Sequence, residues 1–169
     1  MISDYAKLDR WIDAHFAEET AFLQALVRVS TDTPPGDNAP HAVRTADLLA
    51  EYGFIADRYA VPEQIVREQG MVSITNLVVR RRYGDGPTIA LNAHGDVVPP
   101  GEGWHRDPYG GEVECGRIYG RAAAVSKSDF ATYTFAVRAL ESSTSDDMQL
   151  AVEAFLQLLD GLAAESGPA

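Results

Sequence analysis

The sequence of 169 residues has almost no capacity for covalent cross-linking, because Cys115 is its single cysteine. One thiol cannot form a disulfide within a chain, so we predict no disulfide framework and expect a reducing compartment. Cys115 lies in the alternating segment 111–116, which is typical of a hairpin strand, with no histidine or basic neighbour to activate the thiol. We therefore assign Cys115 a structural role.

Long apolar runs are also missing from the sequence. A membrane-spanning helix needs about 20 consecutive, mostly apolar residues, and no segment approaches that length. The amino terminus is acidic and amphipathic, without the basic start and apolar block of a secretion signal. These features favour a soluble, cytoplasmic protein with no membrane partner.

Basic residues are scarce relative to acidic ones, with 14 Lys and Arg against 25 Asp and Glu and a net charge of −11. Binding to phosphate backbones needs clusters of Lys and Arg, so the composition excludes nucleic acids as partners. The basic cluster Arg80–Arg82 ends a predicted strand, where we interpret it as a solvated edge.

The composition that remains, 46% hydrophobic and 23% charged, is that of an ordinary globular domain. Apolar periodicity predicts the following helices and strands. The helices run from Ser3 or Asp4 to Val27, from about Ala39 to Tyr52, from Lys127 to Ser142 and onward from Thr144, and the strands cover Phe54–Val61, Val72–Arg82 and Thr88–Ala93. Pro62–Gly70 is expected to be a polar connector. The predicted fold class is α/β, with helices flanking a mixed sheet of about four or five strands.

The clearest functional signal is His94, which follows the apolar strand and is separated by one residue from Asp96. A neutral imidazole binds zinc through one nitrogen, and a nearby carboxylate can hold the other nitrogen and fix the tautomer. Open α/β sheets place ligands at the carboxyl ends of their strands, where His94 would lie. Neither His15 nor His41 is spaced to share a metal ion with His94, and His105 is interpreted as a loop residue.

Further elements follow in order: Trp104, then Asp107-Pro108, then Gly116-Arg117-Ile118-Tyr119-Gly120-Arg121. Together with segments 26–36 and 76–79, they make residues from about Asp9 to Leu140 resemble the amino-terminal half of the M20 family of zinc metallohydrolases. This family includes aminoacylases, acetylornithine and succinyl-diaminopimelate deacylases, and glutamate-releasing carboxypeptidases. The resemblance implies zinc as cofactor, His94 as a metal ligand and Asp96 as the catalytic-site carboxylate that orients it. It also implies that Trp104, Asp107 and Pro108 shape the rim of the site.

The sequence departs from the family pattern at two places. Val125 stands where the family has an aspartate that bridges two zinc ions, and Ser126 with Asp129 instead fits a helix capping box. The family's Glu–Glu pair, its further ligands and its inserted dimerisation domain have no counterpart, while residues 146–169 resemble the family's last helix. We therefore predict residues 1–141 as the amino-terminal part of an M20-like catalytic domain, 142–145 as a short joint and 146–169 as the carboxyl-terminal helix.

Two functions remain open. By resemblance, the chain is a metal-dependent hydrolase of amide bonds in N-acyl amino acids or small peptides, expected to be inactive alone because ligands and general base are missing. Alternatively, it is a non-catalytic M20-derived domain, truncated, degenerate or engineered, with a structural or self-associating role. An incomplete sheet leaves an edge exposed, so we expect a homo-oligomer formed by edge pairing or helix exchange.

Overall fold

The protein is described by a computed structural model that covers residues 4–142. The predicted joint after Ser142 and the predicted helix over 146–169 lie outside the described residues. The elements in chain order are α1 Asp4–Val27, α2 Ala39–Glu51, β1 Asp57–Ala60, α3 Glu63–Glu68, β2 Thr75–Val78, β3 Glu112–Glu114, β4 Arg117–Tyr119 and α4 Lys127–Ser142. Among these residues, no helix is both long enough and apolar enough to cross a membrane.

Helices α1, α2 and α4 coincide with the predicted helices, because each carries an apolar stripe of helical period. Helix α2 begins with a proline in its first turn, where the missing N–H costs nothing. It ends before Gly53, whose φ of 82° suits a helix-terminating glycine. Helix α3 lies in the segment expected to be a polar connector, and an ion pair between Glu63 and Arg67 spans one of its turns.

The strands confirm the mixed α/β class but pair differently from a single mixed sheet. Within the described residues, β1 and β2 form one antiparallel pair, and β3 and β4 form a second. The β3–β4 hairpin closes through Cys115 and Gly116, which both have positive φ, at 50° and 73°. Two positive values at a two-residue connection fit a type I′ turn, which matches the strand twist. The two hairpins are supplemented by single parallel bridges, from Asp32 to Val97 and from Asp37 to Ser73.

The segment Thr88–Ala93, which its apolar run predicts as a strand, forms no strand in the structure. Its backbone makes no backbone hydrogen bond with any residue of the described range 4–142. Leu91 is 38% exposed. An apolar run predicts burial, but a strand also needs a neighbouring backbone, and the described chain supplies none here.

Residues 17–134 form one compact unit, whose core is built around the end of α1. Its buried apolar side chains come from α1, α2, α3 and the loops before α4, and include Phe22, Leu26, Val27, Leu48, Leu49, Phe54, Val66 and Val97. Gly120 packs so closely on Val27 that a Cβ atom at this position would lie 2.4 Å from Val27 Cγ1. Only glycine avoids this clash, which explains the glycine of the Tyr119-Gly120-Arg121 element.

The described residues 4–16 and 135–142 belong to a second unit. Within it, the Trp11 ring stacks on the His15 ring at 3.8 Å and lies 6.5 Å from the Phe135 ring, between centroids. The guanidinium of Arg138 lies 5.1 Å from the Trp11 ring centroid and 4.9 Å from that of Phe135. A cation within cation–π distance of two aromatic rings stabilises such a cluster electrostatically.

The start of α4 differs from the predicted capping box. The amide of Asp129 donates to the backbone carbonyl of Ser126, whereas the Ser126 hydroxyl is buried with no hydrogen-bond partner in the described chain. The prediction that the Ser126 side chain caps the helix is therefore wrong. Ser126 instead has φ 65°, a left-handed conformation that turns the chain into the helix.

Lys127, the first residue of α4, is fully buried. Its Nζ donates a hydrogen bond of 2.6 Å to the carbonyl of Val29. Burial lowers the pKa of Lys127 to about 8, and the nearby Asp32 carboxylate opposes this effect in part. An ammonium out of water is costly unless it is well bonded, so this residue destabilises the fold while it is charged.

We predict that Lys127→Met changes the pH dependence of stability in a defined direction. The unfolded lysine holds its proton up to about pH 10.4, whereas the folded pKa is about 8. Between these values the unfolded state binds more protons, so the Lys127 contribution to the free energy of unfolding rises with pH. Below pH 8 the full penalty applies.

Urea unfolding of the native protein and of Lys127→Met at several pH values from neutral to mildly alkaline measures this contribution. The difference between the two proteins cancels the titration of groups that do not interact with Lys127, and His41 and Asp32, which do interact with it, are imidazole or carboxyl groups that ordinarily titrate below this pH range. We expect the native protein to gain stability relative to the variant as pH rises above about 8. A difference that stays constant with pH would contradict the assignment.

Candidate functional site

The structure places His94 and Asp96 side by side in the loop that follows Ala93. His94 Nδ1 lies 3.2 Å from Asp96 Oδ1 and 3.1 Å from the Asp96 backbone oxygen. Both neighbours are acceptors, so the geometry favours the tautomer that carries its proton on Nδ1. Nε2 is then left with a free lone pair on a side chain that is 62% exposed.

The loop is attached to the segment after α1 by backbone hydrogen bonds. The Val97 amide donates to the Thr31 carbonyl at 3.1 Å, and the Thr33 amide donates to the Val97 carbonyl at 2.8 Å. The hydroxyl of Thr31 also donates to the Gly95 carbonyl at 2.6 Å. Three bonds from a three-residue segment therefore hold the backbone on the carboxyl side of His94.

A second segment supports the same loop from the region before α4. Arg121 Nε donates to the Val98 carbonyl at 2.7 Å, while the Arg121 amide donates to the Pro108 carbonyl at 2.6 Å. The hydroxyl of Tyr109 donates to the Asp32 carboxylate. Burial and this carboxylate raise the pKa of Tyr109, which keeps the phenol in its donating form.

His41, in the first turn of α2, lies directly beneath the loop, and the sequence did not indicate this. The side chain is 4% exposed, and a Cβ atom at Gly95 would lie only 2.7 Å from His41 Nδ1. Burial, together with the positive charge of Lys127, lowers the pKa of His41 to about 3. The imidazole is therefore neutral at any physiological pH.

A local signal for the burial of His41 exists in the helix pattern. Its position falls on the same face of α2 as the buried residues Thr45, Leu48 and Leu49. The Thr45 hydroxyl donates to the His41 carbonyl at 2.8 Å. The proximity of His41 to Gly95 depends on tertiary packing, which periodicity alone does not specify.

The loop that carries Trp104 and Asp107 is shaped by local hydrogen bonds. Trp104 Nε1 donates to the Pro100 carbonyl at 2.8 Å, and Asp107 Oδ1 accepts the Tyr109 amide at 2.8 Å. These contacts agree with the predicted role of both side chains in holding the loop's shape. His105 is exposed.

The donors needed for a complete metal centre are not assembled among residues 4–142. That part of the chain contains no group of three His, Cys, Asp or Glu side chains arranged to hold a metal ion. Val125, at the position where the resemblance expects a bridging aspartate, is 66% exposed and offers no lone pair. Zinc normally takes four ligands, so the described residues do not fit a zinc centre.

Comparison with known proteins identifies one family by its family model and by its curated relatives. The model of peptidase family M20/M25/M40 matches residues 90–156, a range that includes His94, Asp96 and Val125. No solved structure gives a significant match.

Several curated relatives are named succinyl-diaminopimelate desuccinylase. The protein from Methylobacterium nodulans is 35% identical over 151 residues, which are 88% of this chain and 35% of the relative. The protein from Acidiphilium cryptum is 31% identical over 157 residues, covering 88% of this chain and 39% of the relative. The protein from Leptothrix cholodnii is 37% identical over 159 residues, covering 85% of this chain and 40% of the relative.

The chain thus spans between about a third and two fifths of the length of these relatives. The matched family range contains the loop built around His94 and Asp96, together with the Tyr119-Gly120-Arg121 element that supports it. The chain belongs to peptidase family M20/M25/M40.

Proposed function

We propose that this chain carries part of a metal-dependent amide hydrolase and does not catalyse hydrolysis by itself. The observation that carries the proposal is the paired His94 and Asp96 on a loop held by four hydrogen-bonding atoms of its neighbours, in a described range that contains no group of three potential metal ligands. Such a site holds one imidazole in the orientation of a metal ligand, but it lacks the other ligands that a bound metal ion needs.

Asp96 supports this interpretation because it orients His94 in a form suited to metal binding. With the proton on Nδ1 facing Asp96, the exposed Nε2 is the nitrogen available to a metal ion. We assign His94 the role of a single metal ligand and Asp96 the role of its orienting carboxylate.

The proposed substrate class follows the relatives, which are named for removing a succinyl group from diaminopimelate. The amide of an N-acyl amino acid is therefore the bond on which the complete hydrolase would act. We place the protein in the cytoplasm, because its one exposed cysteine requires no oxidising compartment.

A second candidate, a self-associating domain without catalysis, is favoured by the unpaired segment Thr88–Ala93. Its residues are exposed or half-buried, rich in apolar side chains, and make no backbone hydrogen bonds within the described range. An unpaired strand-like backbone offers a template for another chain. We propose that two copies pair through this segment to form a homodimer.

The first experiment is a zinc titration by calorimetry on chelator-treated protein, with succinate release from N-succinyl-diaminopimelate measured in parallel. We expect zinc binding too weak to survive dialysis and no succinate release, because one imidazole does not hold zinc tightly. Tight binding that His94→Ala abolishes, accompanied by hydrolysis, would contradict the proposed lack of activity.

Matched variants identify the responsible side chains. His105→Ala removes another exposed imidazole and is expected to leave the titration unchanged. Val125→Asp supplies the carboxylate that the family resemblance expects, so it is predicted to strengthen zinc binding about tenfold or more, which is about 1.4 kcal/mol. Val113→Asp adds the same charge to an exposed site on β3 and is expected to have no such effect.

Self-association is tested by size-exclusion chromatography with light scattering, which gives the mass of the protein at several concentrations. We expect the native chain to have the mass of a dimer, and Leu91→Lys to have the mass of a monomer, because a charge on the edge opposes pairing. Ile55→Lys, on an exposed residue elsewhere, is the control and is expected to remain dimeric. A monomeric native protein, or a dimeric Leu91→Lys variant, would contradict pairing through this segment.

A further inference from the structure

Gly95 has the greatest backbone freedom in the His94-Gly95-Asp96 segment, yet the pairing of its two neighbours depends on its conformation. His94 and Asp96 are two residues apart, so the separation of their side chains is set largely by the torsions of the residue between them. Glycine samples more backbone conformations than any other residue. A constraint from outside this segment must therefore fix the conformation of Gly95.

Two contacts from other segments supply that constraint. The hydroxyl of Thr31 donates to the Gly95 carbonyl at 2.6 Å. The ring of His41 lies against Gly95, so that a Cβ atom at this position would be 2.7 Å from His41 Nδ1 and 2.8 Å from Cε1. Gly95 does not have a positive φ, so its torsions do not explain the absence of a side chain.

The His41 ring is itself held firmly enough to act as a support. It packs edge-on against the Phe130 ring with centroids 5.8 Å apart, and its Nδ1 lies 3.4 Å from the Thr45 hydroxyl. Its Nε2 is buried without a hydrogen-bond partner in the described range. A buried aromatic ring between two helices has little freedom to move away from the loop.

We propose that His41 is a positioning residue, whose ring holds the backbone of Gly95 and thereby sets the pairing of His94 with Asp96. It acts through packing on Gly95 and makes no hydrogen bond with His94 or Asp96 among the described residues. The relevance of this role to hydrolysis rests on the proposed function. The contact between His41 and Gly95 does not depend on it. If His41 only filled the core, its burial would be enough. The proposed role requires in addition that its ring atoms fix the conformation of Gly95, on which the pairing of His94 with Asp96 depends.

The first part of the test is a double-mutant comparison of Gly95→Ala in the native background and in a His41→Ala background, by urea unfolding. We expect Gly95→Ala to lower the folding equilibrium constant at least tenfold in the native background and far less in His41→Ala, because the clash is gone. His41→Val also lacks the two ring atoms that face Gly95, and replaces His41→Ala if the latter does not fold. An equal cost of Gly95→Ala in both backgrounds would overturn the proposal.

The second part reads the state of the His94 ring directly, by long-range proton–nitrogen correlation spectra at a mildly alkaline pH. We expect His94 to carry its proton on Nδ1 in the native protein and in His41→Phe, which keeps a ring beneath Gly95. In His41→Ala or His41→Val we expect loss of this preference, while the spectrum of His105 stays unchanged.

An unchanged His94 tautomer in a folded His41→Ala or His41→Val variant would overturn the proposal, and so would loss of the tautomer in a folded His41→Phe variant. None of these measurements needs a metal ion or a substrate. Failure of the proposed hydrolase assignment would therefore leave this result intact, and failure of the positioning role would leave the zinc titration intact.

Discussion

The parallel backbone bridge between Asp32 and Val97 is the contact on which the candidate site depends. The preceding segment Thr88–Ala93 has no backbone partner within residues 4–142, so it does not position His94. The bonds from Thr31 and Thr33 do so instead, and they connect the loop to the end of α1, where Leu26 and Val27 are fully buried. The well-packed core thus determines the position of an exposed pair of side chains.

This arrangement separates the positioning of a metal ligand from the assembly of a metal centre. The fold positions His94 beside Asp96. At the position where the family resemblance expects a bridging carboxylate, the chain has the exposed Val125. The supporting residues Thr31, His41 and Arg121 act on the loop rather than on a metal ion. A scaffold of this kind can persist independently of catalysis, because its contacts also stabilise the fold.

Local patterns predicted the helices well and the distant contacts poorly. Helices α1, α2 and α4 follow from periodicity, which depends on nearby residues. Cys115, expected within a hairpin strand, instead lies in the turn that follows β3. The apolar run Thr88–Ala93 predicts a strand, but strand formation depends on a backbone partner far away in sequence. The pairing of His94 with Asp96 could be predicted from the sequence because the two residues are only two positions apart. The contact of His41 with Gly95 was not, because it joins a helix start to a loop more than fifty residues later.

Hydrogen exchange of individual backbone amides tests most directly whether the loop is held by the segment after α1. The amides of Val97 and Thr33 are donors in the bridge, whereas Gly103 lies in an exposed loop. The account predicts slow exchange at Val97 and Thr33 and fast exchange at Gly103. Exchange at Val97 and Thr33 as fast as at Gly103 would contradict it, since the His94 loop would then lack its attachment to the core.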